Sequence, residues 1–417
     1  MSGEEKLTPY PEVPAKPDLP EIEKKILSEW GTSKTFERTV TLRPEESEYV
    51  FYDGPPFANG LPHHGHLLTG YVKDVIPRYQ TMRGNRVERR FGWDCHGLPA
   101  EMESEKQLQV SGRAAITEYG IEKFNAYCQE SVLKYTDEWE KVVTRQARWV
   151  DFKNDYKTMD LDYMESVMWA FKQLWDQGLI YESQRVIPYS WGAETPLSNF
   201  EIRLDDATRP RQDPAVTVAF DLLNEEGAST STKILAWTTT PWTLPSNLAL
   251  AVSPGKEYAL VDTPEGQYIL GGETIASFAE TFGDYTILET FEGQKLVNLR
   301  YQPLFPYFQD LDTQAFRIIP GDFIEMDEGT GVVHIAPGFG EDDQRIADDN
   351  GIPTVVPVDD EGAFTEEVKE WHGVNVFDAN PLIIRKLKES GRIIRHDTYE
   401  HNYPHCWRTD TPIIYKA

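Results

Sequence analysis

The spacing of apolar positions changes character partway along the chain. In the first half the helical period dominates. Leu67, Leu68, Tyr71, Val72, Val75, Ile76, Tyr79 and Met82 fall on one face at helical spacing. They predict a helix starting after His66, which Pro77 kinks rather than abolishes. A short apolar run at 49–52 ends in Asp53-Gly54-Pro55-Pro56 and predicts a strand entering a loop, with a second strand at 86–91. From about 118 to 178 the pattern is helical, with Met164, Val167, Met168, Phe171 and Trp175 on one face and Gly178 as a cap. After about residue 210 the period shortens. Runs at 216–220, 233–239, 248–252, 258–262 and 332–336 read as strands separated by Gly, Pro and Asn. Two helices interrupt them, near 341–350 and 380–390.

Strand, loop, helix, strand is the opening of a doubly wound nucleotide fold. The expected class is therefore α/β, a Rossmann-like nucleotide-binding domain with a largely β domain inserted in it. The expected division is a Pro-rich and helical lead at 1–45, the first half of the nucleotide domain with a helical connection at 46–204, the insertion at 205–395, and a re-entry at 396–417. A doubly wound sheet needs more strands than the first hundred residues supply, so the nucleotide domain reads as truncated.

Composition narrows the possibilities. The 417 residues, 40% of them apolar, suffice for two or three cores. No run approaches a membrane span. The lead, with Glu4, Glu5, Lys6 and then Pro9, Pro11, Pro14, Pro17 and Pro20, lacks the apolar centre of a secretory signal, so a cytoplasmic location is expected. Three cysteines, Cys95, Cys128 and Cys406, predict neither a disulfide framework nor zinc. A net charge of −28 repels phosphate backbones at long range, so any nucleic-acid contact must be local.

Two stretches carry candidate chemistry. The first is Pro55-Pro56-Phe57-Ala58-Asn59-Gly60-Leu61-Pro62-His63-His64-Gly65-His66. His63, Gly65 and His66 stand where a loop becomes a helix, and free N–H groups there attract anions. Imidazoles at that spot can donate to phosphate oxygens as charge develops. Gly65 removes a side chain where a flat base could approach. The plainer alternative is a metal pair at His64 and His66, or surface histidines. A pairing of Cys95 with His96 as nucleophile and base fails, because adjacent residues in extended chain point to opposite faces.

This segment resembles the first signature of the class I aminoacyl-tRNA synthetases, in the form HHGH with His64 at the variable position. The resemblance implies that His63 and His66 contact ATP, presented with magnesium, and the transition state of adenylate formation. Gly92-Trp93-Asp94-Cys95-His96-Gly97-Leu98-Pro99 resembles the isoleucine-specific branch rather than the leucyl or valyl one. It implies that Asp94 meets the substrate's α-ammonium and that Pro55 lines the amino-acid pocket, with Gly65 and Asn59 also binding substrate.

The second stretch joins Trp237-Thr238-Thr239-Thr240-Pro241-Trp242-Thr243-Leu244-Pro245-Ser246-Asn247 to Gly329-Thr330-Gly331-Val332-Val333-His334 and onward to Asp343. Threonines suit a strand for structural reasons alone. Here they run into Pro-Trp-Thr-Leu-Pro, which leaves hydroxyls at a rim where they could order a water. Asp343 could be only a charge favouring a helix N-terminus. Together the segments resemble the editing domain inserted in the isoleucyl, valyl and leucyl synthetases, and Thr240-Pro241-Trp242 matches the isoleucyl form. That resemblance implies that Asp343, with Asp342 as the neighbouring alternative, binds the α-ammonium of a misattached amino acid. Thr239 and Thr240 would act in hydrolysis, Thr238, Thr243 and Asn247 would line the pocket, and His334 would help exclude the correct side chain.

The resemblance covers roughly residue 46 onward. The lysine-bearing second signature of the family and an anticodon-binding domain are not found, so the chain reads as the N-terminal part of a longer enzyme. The implied activity is ligation of isoleucine to tRNA(Ile) by a monomer using ATP and Mg2+, with hydrolysis of valyl-tRNA. His401, His405 and Cys406 are a thin metal candidate, and no zinc is expected. The rival readings are a freestanding deacylase of mischarged tRNA, a non-catalytic nucleotide- or tRNA-binding module, and, among synthetases, the valyl enzyme.

Overall fold

The computed structural model describes residues 15–311 and 314–417. The expectations for Glu4 to Pro14 lie outside them. The chain divides into two compact units, Met1–Tyr181 and Glu182–Ala417. Both mix helices and strands, and the molecule is α/β with several separate sheets.

The first unit is mainly helical. Leu19–Ser33 starts at Asp18, whose carboxylate accepts from the Glu21 N–H, with Pro20 in the first turn where its missing N–H costs nothing. His64–Met82 runs unbroken through Pro77. Its long apolar side chains lie exposed, as do those of Leu161–Asp176. Periodicity thus located both helices without revealing what their faces pack against. Gly178 adopts φ 70°, the left-handed conformation that follows a helix end.

Two expectations shift here. The run at 49–52 is not a regular strand. It is extended chain pinned at its ends, by a parallel bridge of Glu48 with Arg86 and another of Phe57 with Asp94. Pro55 and Pro56 have no N–H to donate, so a continuous ladder cannot form between those points. The second strand is Arg90–Trp93, displaced from 86–91, and it pairs in parallel with Asp151–Lys157. That partner fell inside the stretch expected to be helical. Phe91, Trp93, Ala58, Val132, Trp139 and Val143 fill the core beneath.

The second unit follows the β reading. A six-stranded sheet orders Thr286–Glu292, Glu257–Thr263, Gly266–Gly271, Ser229–Thr238, Thr208–Leu223 and Ile393–Pro404. Only Ser229–Thr238 with Gly266–Gly271 is parallel. A three-stranded sheet centres on Ala249–Val252, buried at every position, between Arg317–Pro320 and Val332–Ile335. Side chains alternate across the larger sheet. Val216, Val218, Phe220, Ile234 and Ala236 enter the main core, while Ala219, Leu235, Ala259 and Val261 pack beneath Ile275, Phe278 and Phe282. Each such Leu, Ile or Phe contributes about 1.5–3 kcal/mol relative to exposure. Helices Glu341–Asp349 and Val376–Glu389 match the two expected. Ile187–Ser190 pairs with Ile414–Lys416, so chain from before and after the large sheet meets in one small sheet. Among the described residues, no helix is long and apolar enough to cross a membrane.

Candidate nucleotide and hydrolytic sites

In the first unit, His63 is the N-cap of His64–Met82 and the cap is made by two imidazoles. The Gly65 N–H donates to His63 Nδ1 at 3.2 Å, and the His63 N–H donates to His66 Nδ1 at 3.2 Å. The two rings stack with centroids 3.8 Å apart. Because both Nδ1 atoms accept, each ring in its neutral form carries its proton on Nε2. Two Nε2–H donors are thereby left free at the positive end of a helix. Burial first, and then the nearby charge of Lys73, lower the His66 pKa and so favour its neutral ring. A Cβ at Gly65 would meet the His63 ring at 3.0 Å, so a larger residue there would press on the capping imidazole.

The loop before the helix is tethered by groups the motif reading passed over. Asp53, buried, pairs with Lys73 Nζ at 2.8 Å and with an Arg148 guanidinium nitrogen at 2.8 Å. Lys73 also donates to the Gly54 carbonyl. Trp139 packs against His66 with centroids 4.7 Å apart and donates its indole N–H to Gly60 O at 2.9 Å. An acidic residue directly before Gly54-Pro55-Pro56 was the available signal. The Asn59 amide donates to Pro99 O at 3.3 Å. The Asp94 N–H donates to Pro56 O at 2.9 Å, which sets Asp94 beside the Pro55-Pro56 turn. Asp94 accepts from the His96 N–H at 3.3 Å. His64 is exposed and outside the cap's bonds.

The second unit gathers four of the predicted side chains into one hydrogen-bonded line. Thr238 Oγ1 lies 3.2 Å from Thr240 Oγ1, which lies 3.3 Å from Thr243 Oγ1. Thr243 Oγ1 in turn lies 2.9 Å from His334 Nε2. The turn Pro241–Ser246 carries Thr243 back toward the strand end, and the proline at its start suits that first position. His334 is buried and burial pushes its pKa down to about 4, so the ring is neutral. Its Nδ1 has no partner among the described residues.

Asp343 lies in the first turn of Glu341–Asp349 and accepts from the Ala336 N–H at 2.8 Å, two residues past His334. Desolvation pushes its pKa up to about 7; the Ala336 bond opposes this and neighbouring Asp342 adds to it. Asp342 points outward and pairs with Arg345 at 3.2 Å. Two predicted residues stand apart. Thr239 makes no side-chain hydrogen bond among the described residues, and alternation along the strand turns it away from Thr238 and Thr240. Asn247 is engaged on both sides of its amide, donating to Ala249 O at 2.8 Å and accepting from the Tyr301 hydroxyl at 2.7 Å. Asn380 is a further supporting residue, accepting from the Trp242 N–H at 2.9 Å. No group of three or more candidate metal ligands occurs among the described residues. His401 turns to Asp213 at 2.9 Å and His405 to Tyr403 O at 2.9 Å.

Comparison with known proteins shows the family. The family model for tRNA synthetases class I (I, L, M and V) matches residues 25–335. The isoleucine–tRNA ligase of Rickettsia peacockii (strain Rustic) is 56% identical over 414 residues, 98% of this chain and 38% of that protein. That of Rickettsia prowazekii (strain Madrid E) is 56% identical over 426 residues, 98% of this chain and 39% of that protein. The chain thus spans under two-fifths of the length of the curated relatives it matches. A solved structure, "The crystal structure of GlLeuRS-CP1", covers 44% of this chain and 98% of its own at 15% identity, with a TM-score of 0.35, too slight a likeness to bear on the fold. With three-quarters of its length inside the family model, the chain belongs to the class I tRNA synthetases of the isoleucine, leucine, methionine and valine group.

Proposed function

We propose that this chain carries the ATP-binding signature and the hydrolytic editing pocket of an isoleucine–tRNA ligase. In this reading residues 46–204 are the opening half of a Rossmann-like domain with its helical connection. The insertion spans about 205–395, and 396–417 re-enter the Rossmann-like domain. The substrates are isoleucine, ATP as its Mg2+ complex, and tRNA(Ile), with valine as the misactivated competitor. The place of work is the cytoplasm and the working form a monomer.

At the first site the Nε2–H groups of His63 and His66 face the triphosphate and stabilise charge at the α-phosphate as the amino-acid carboxylate attacks it and the bond to the departing pyrophosphate breaks. Asp94 takes the α-ammonium beside the Pro55-Pro56 turn. Metal-bound phosphate, when present, has its charge lowered, and the protein's part is to hold donors and loop in place.

At the second site the Asp343 carboxylate receives the α-ammonium of a misattached valine. An arriving ammonium favours the ionised carboxyl and draws its pKa back down. The line Thr238–Thr240–Thr243 orders a water, which adds to the ester carbonyl carbon. The acyl C–O bond then breaks and the ribose hydroxyl leaves with a proton, giving valine and free tRNA. Thr239 and Asn247 are assigned to the pocket's frame rather than to the water. His334 forms a fixed neutral wall against a larger side chain. A second site is needed because one methylene is worth only about 1–3 kcal/mol to a binding pocket, a scale taken from isoleucine–valine discrimination itself rather than from this chain.

The observation that carries the reading is the unbroken line from Thr238 to His334 with Asp343 anchored two residues further along. The test is hydrolysis of valyl-tRNA by the chain and by Asp343→Ala. Loss of turnover in the variant, with the fold retained, is expected. Equal turnover by both would remove Asp343 from the site.

A further inference from the structure

The turn Pro241–Ser246 is held at its start from outside itself. A helical turn opens with backbone N–H groups that have no acceptor within it. Pro241 has none to offer, and the Thr243 N–H donates to Thr240 O at 2.9 Å, so the Trp242 N–H is the one left over. The local candidate to take it is Thr240, at the position before the turn. Threonine is among the residues preferred there, and its hydroxyl ordinarily accepts from the second or third N–H. Thr240 does not do this. Its side chain makes no capping bond and lies instead 3.2 Å from Thr238 Oγ1 and 3.3 Å from Thr243 Oγ1.

The cap comes from 138 residues further along, where Asn380 Oδ1 accepts from the Trp242 N–H at 2.9 Å. Asn380 is buried on helix Val376–Glu389, whose Val376, Ala379, Ile383 and Leu387 sit in the main core, so the acceptor is fixed independently of the turn. That helix is capped in its own right by Asn375, whose side chain accepts from the Phe377 N–H at 3.1 Å. The Trp242 ring is fixed as well. It meets Phe339 edge to face with centroids 4.9 Å apart, and Phe339 belongs to the loop between Ala336 and Asp343. A buried N–H pinned in this way must keep an acceptor, because leaving it bare costs the full desolvation of the group.

We propose that Asn380 is a positioning residue for the hydrolysis: it caps the turn from a distance and so releases the Thr240 hydroxyl for the water-ordering line. The inference rests on the hydrolytic reading above. Without the Asn380 amide oxygen, rotation about the Thr240 Cα–Cβ bond supplies a replacement acceptor for the Trp242 N–H. The same rotation takes the middle hydroxyl out of the line and leaves Thr238 and Thr243 without the group that joins them.

The test is a crystal structure and steady-state hydrolysis of valyl-tRNA for the full chain and three variants. Asn380→Leu fills a similar volume without an acceptor. Asn380→Ser stops short of the Trp242 N–H and reads the same contact if the Leu variant does not fold. Asn380→Asp keeps the oxygen. In the Leu and Ser variants Thr240 Oγ1 is expected within hydrogen-bonding distance of the Trp242 nitrogen and out of contact with Thr238 and Thr243. Their kcat is expected to fall about tenfold with KM unchanged, the share of one hydrogen bond made in the transition state. Asn380→Asp is expected to restore both the line and kcat. A Thr240 hydroxyl that stays in the line, a kcat equal to the parent's, or an Asp variant as impaired as the Leu variant overturns the proposal. Turnover by the parent with an unmoved hydroxyl in the variants removes the role of Asn380 and leaves the pocket. A swung hydroxyl in variants of a parent that does not turn over leaves the distant cap and removes the hydrolytic reading.

Discussion

Thr243 Oγ1 and His334 Nε2, 2.9 Å apart, join a turn to a strand that are 91 residues distant in sequence. This contact converts a row of strand threonines into a line of hydroxyls ending on a buried neutral ring. His334 Nδ1 already has no partner, so Nε2 holds the ring's one hydrogen bond among the described residues.

Removing that partner should therefore cost more than an average hydrogen bond. Thr243→Val leaves a buried imidazole wholly unsatisfied, and destabilisation of about 1–3 kcal/mol is expected. Thr243→Ser keeps the hydroxyl and should stay close to the parent. Chemical denaturation of the three proteins checks the order, and valyl-tRNA hydrolysis should fall with Val and persist with Ser.

The two titratable groups of the pocket give opposite pH dependences. His334 has its folded pKa lowered, to about 4, so its contribution is fully present above the ordinary value near 6.5 and is lost as pH falls toward 4. His334→Gln should flatten the melting temperature across that window. Asp343 has its folded pKa raised, to about 7. The folded state then holds the proton more tightly, and stability declines as pH rises from 4 to 7. Asp343→Asn should stabilise the chain at pH 8 by of order 1–2 kcal/mol, with the gain vanishing near pH 4. Thermal melts at several pH values separate the two effects.

In the first unit, Asp53 joins the extended segment to both Lys73 and Arg148. Asp53→Ala would leave Arg148, almost fully buried, without its counter-charge. A loss of about 3–5 kcal/mol is expected from breaking such a pair on one side. Restoring stability by pairing Asp53→Ala with Arg148→Met would show that the unpaired charge, rather than a lost contact, is responsible. Calorimetry on the single and double variants reads this directly.

Much of this architecture was legible in the chain. Period and turn residues located His64–Met82, whose apolar positions repeat at helical spacing though they lie exposed, and Val376–Glu389 and the strands around Thr208–Leu223 and Ser229–Thr238, each of which buries a patterned face. Asp151–Lys157 was missed for a physical reason. It is polar at five of its seven positions, and its strand character comes from pairing with Arg90–Trp93 and from the Trp93 indole bond to Asp155 at 2.7 Å. Neither interaction leaves a local signal. The motifs located His63, His66, His334 and Asp343, but alternation and hydrogen bonding divide the threonines, placing Thr238 and Thr240 in the line and Thr239 outside it. The supporting residues Asp53, Lys73, Trp139 and Asn380 act across long sequence separations, and only the fold brings them to their sites.

The central claim is that the Thr238–His334 pocket removes valine and refuses isoleucine. Its most direct test is the rate of hydrolysis of valyl-tRNA beside isoleucyl-tRNA by the chain under identical conditions. Valyl-tRNA is expected to be cleaved well above the spontaneous rate while isoleucyl-tRNA stays near it. Equal cleavage of both esters, or cleavage of neither by the folded chain, would contradict the account.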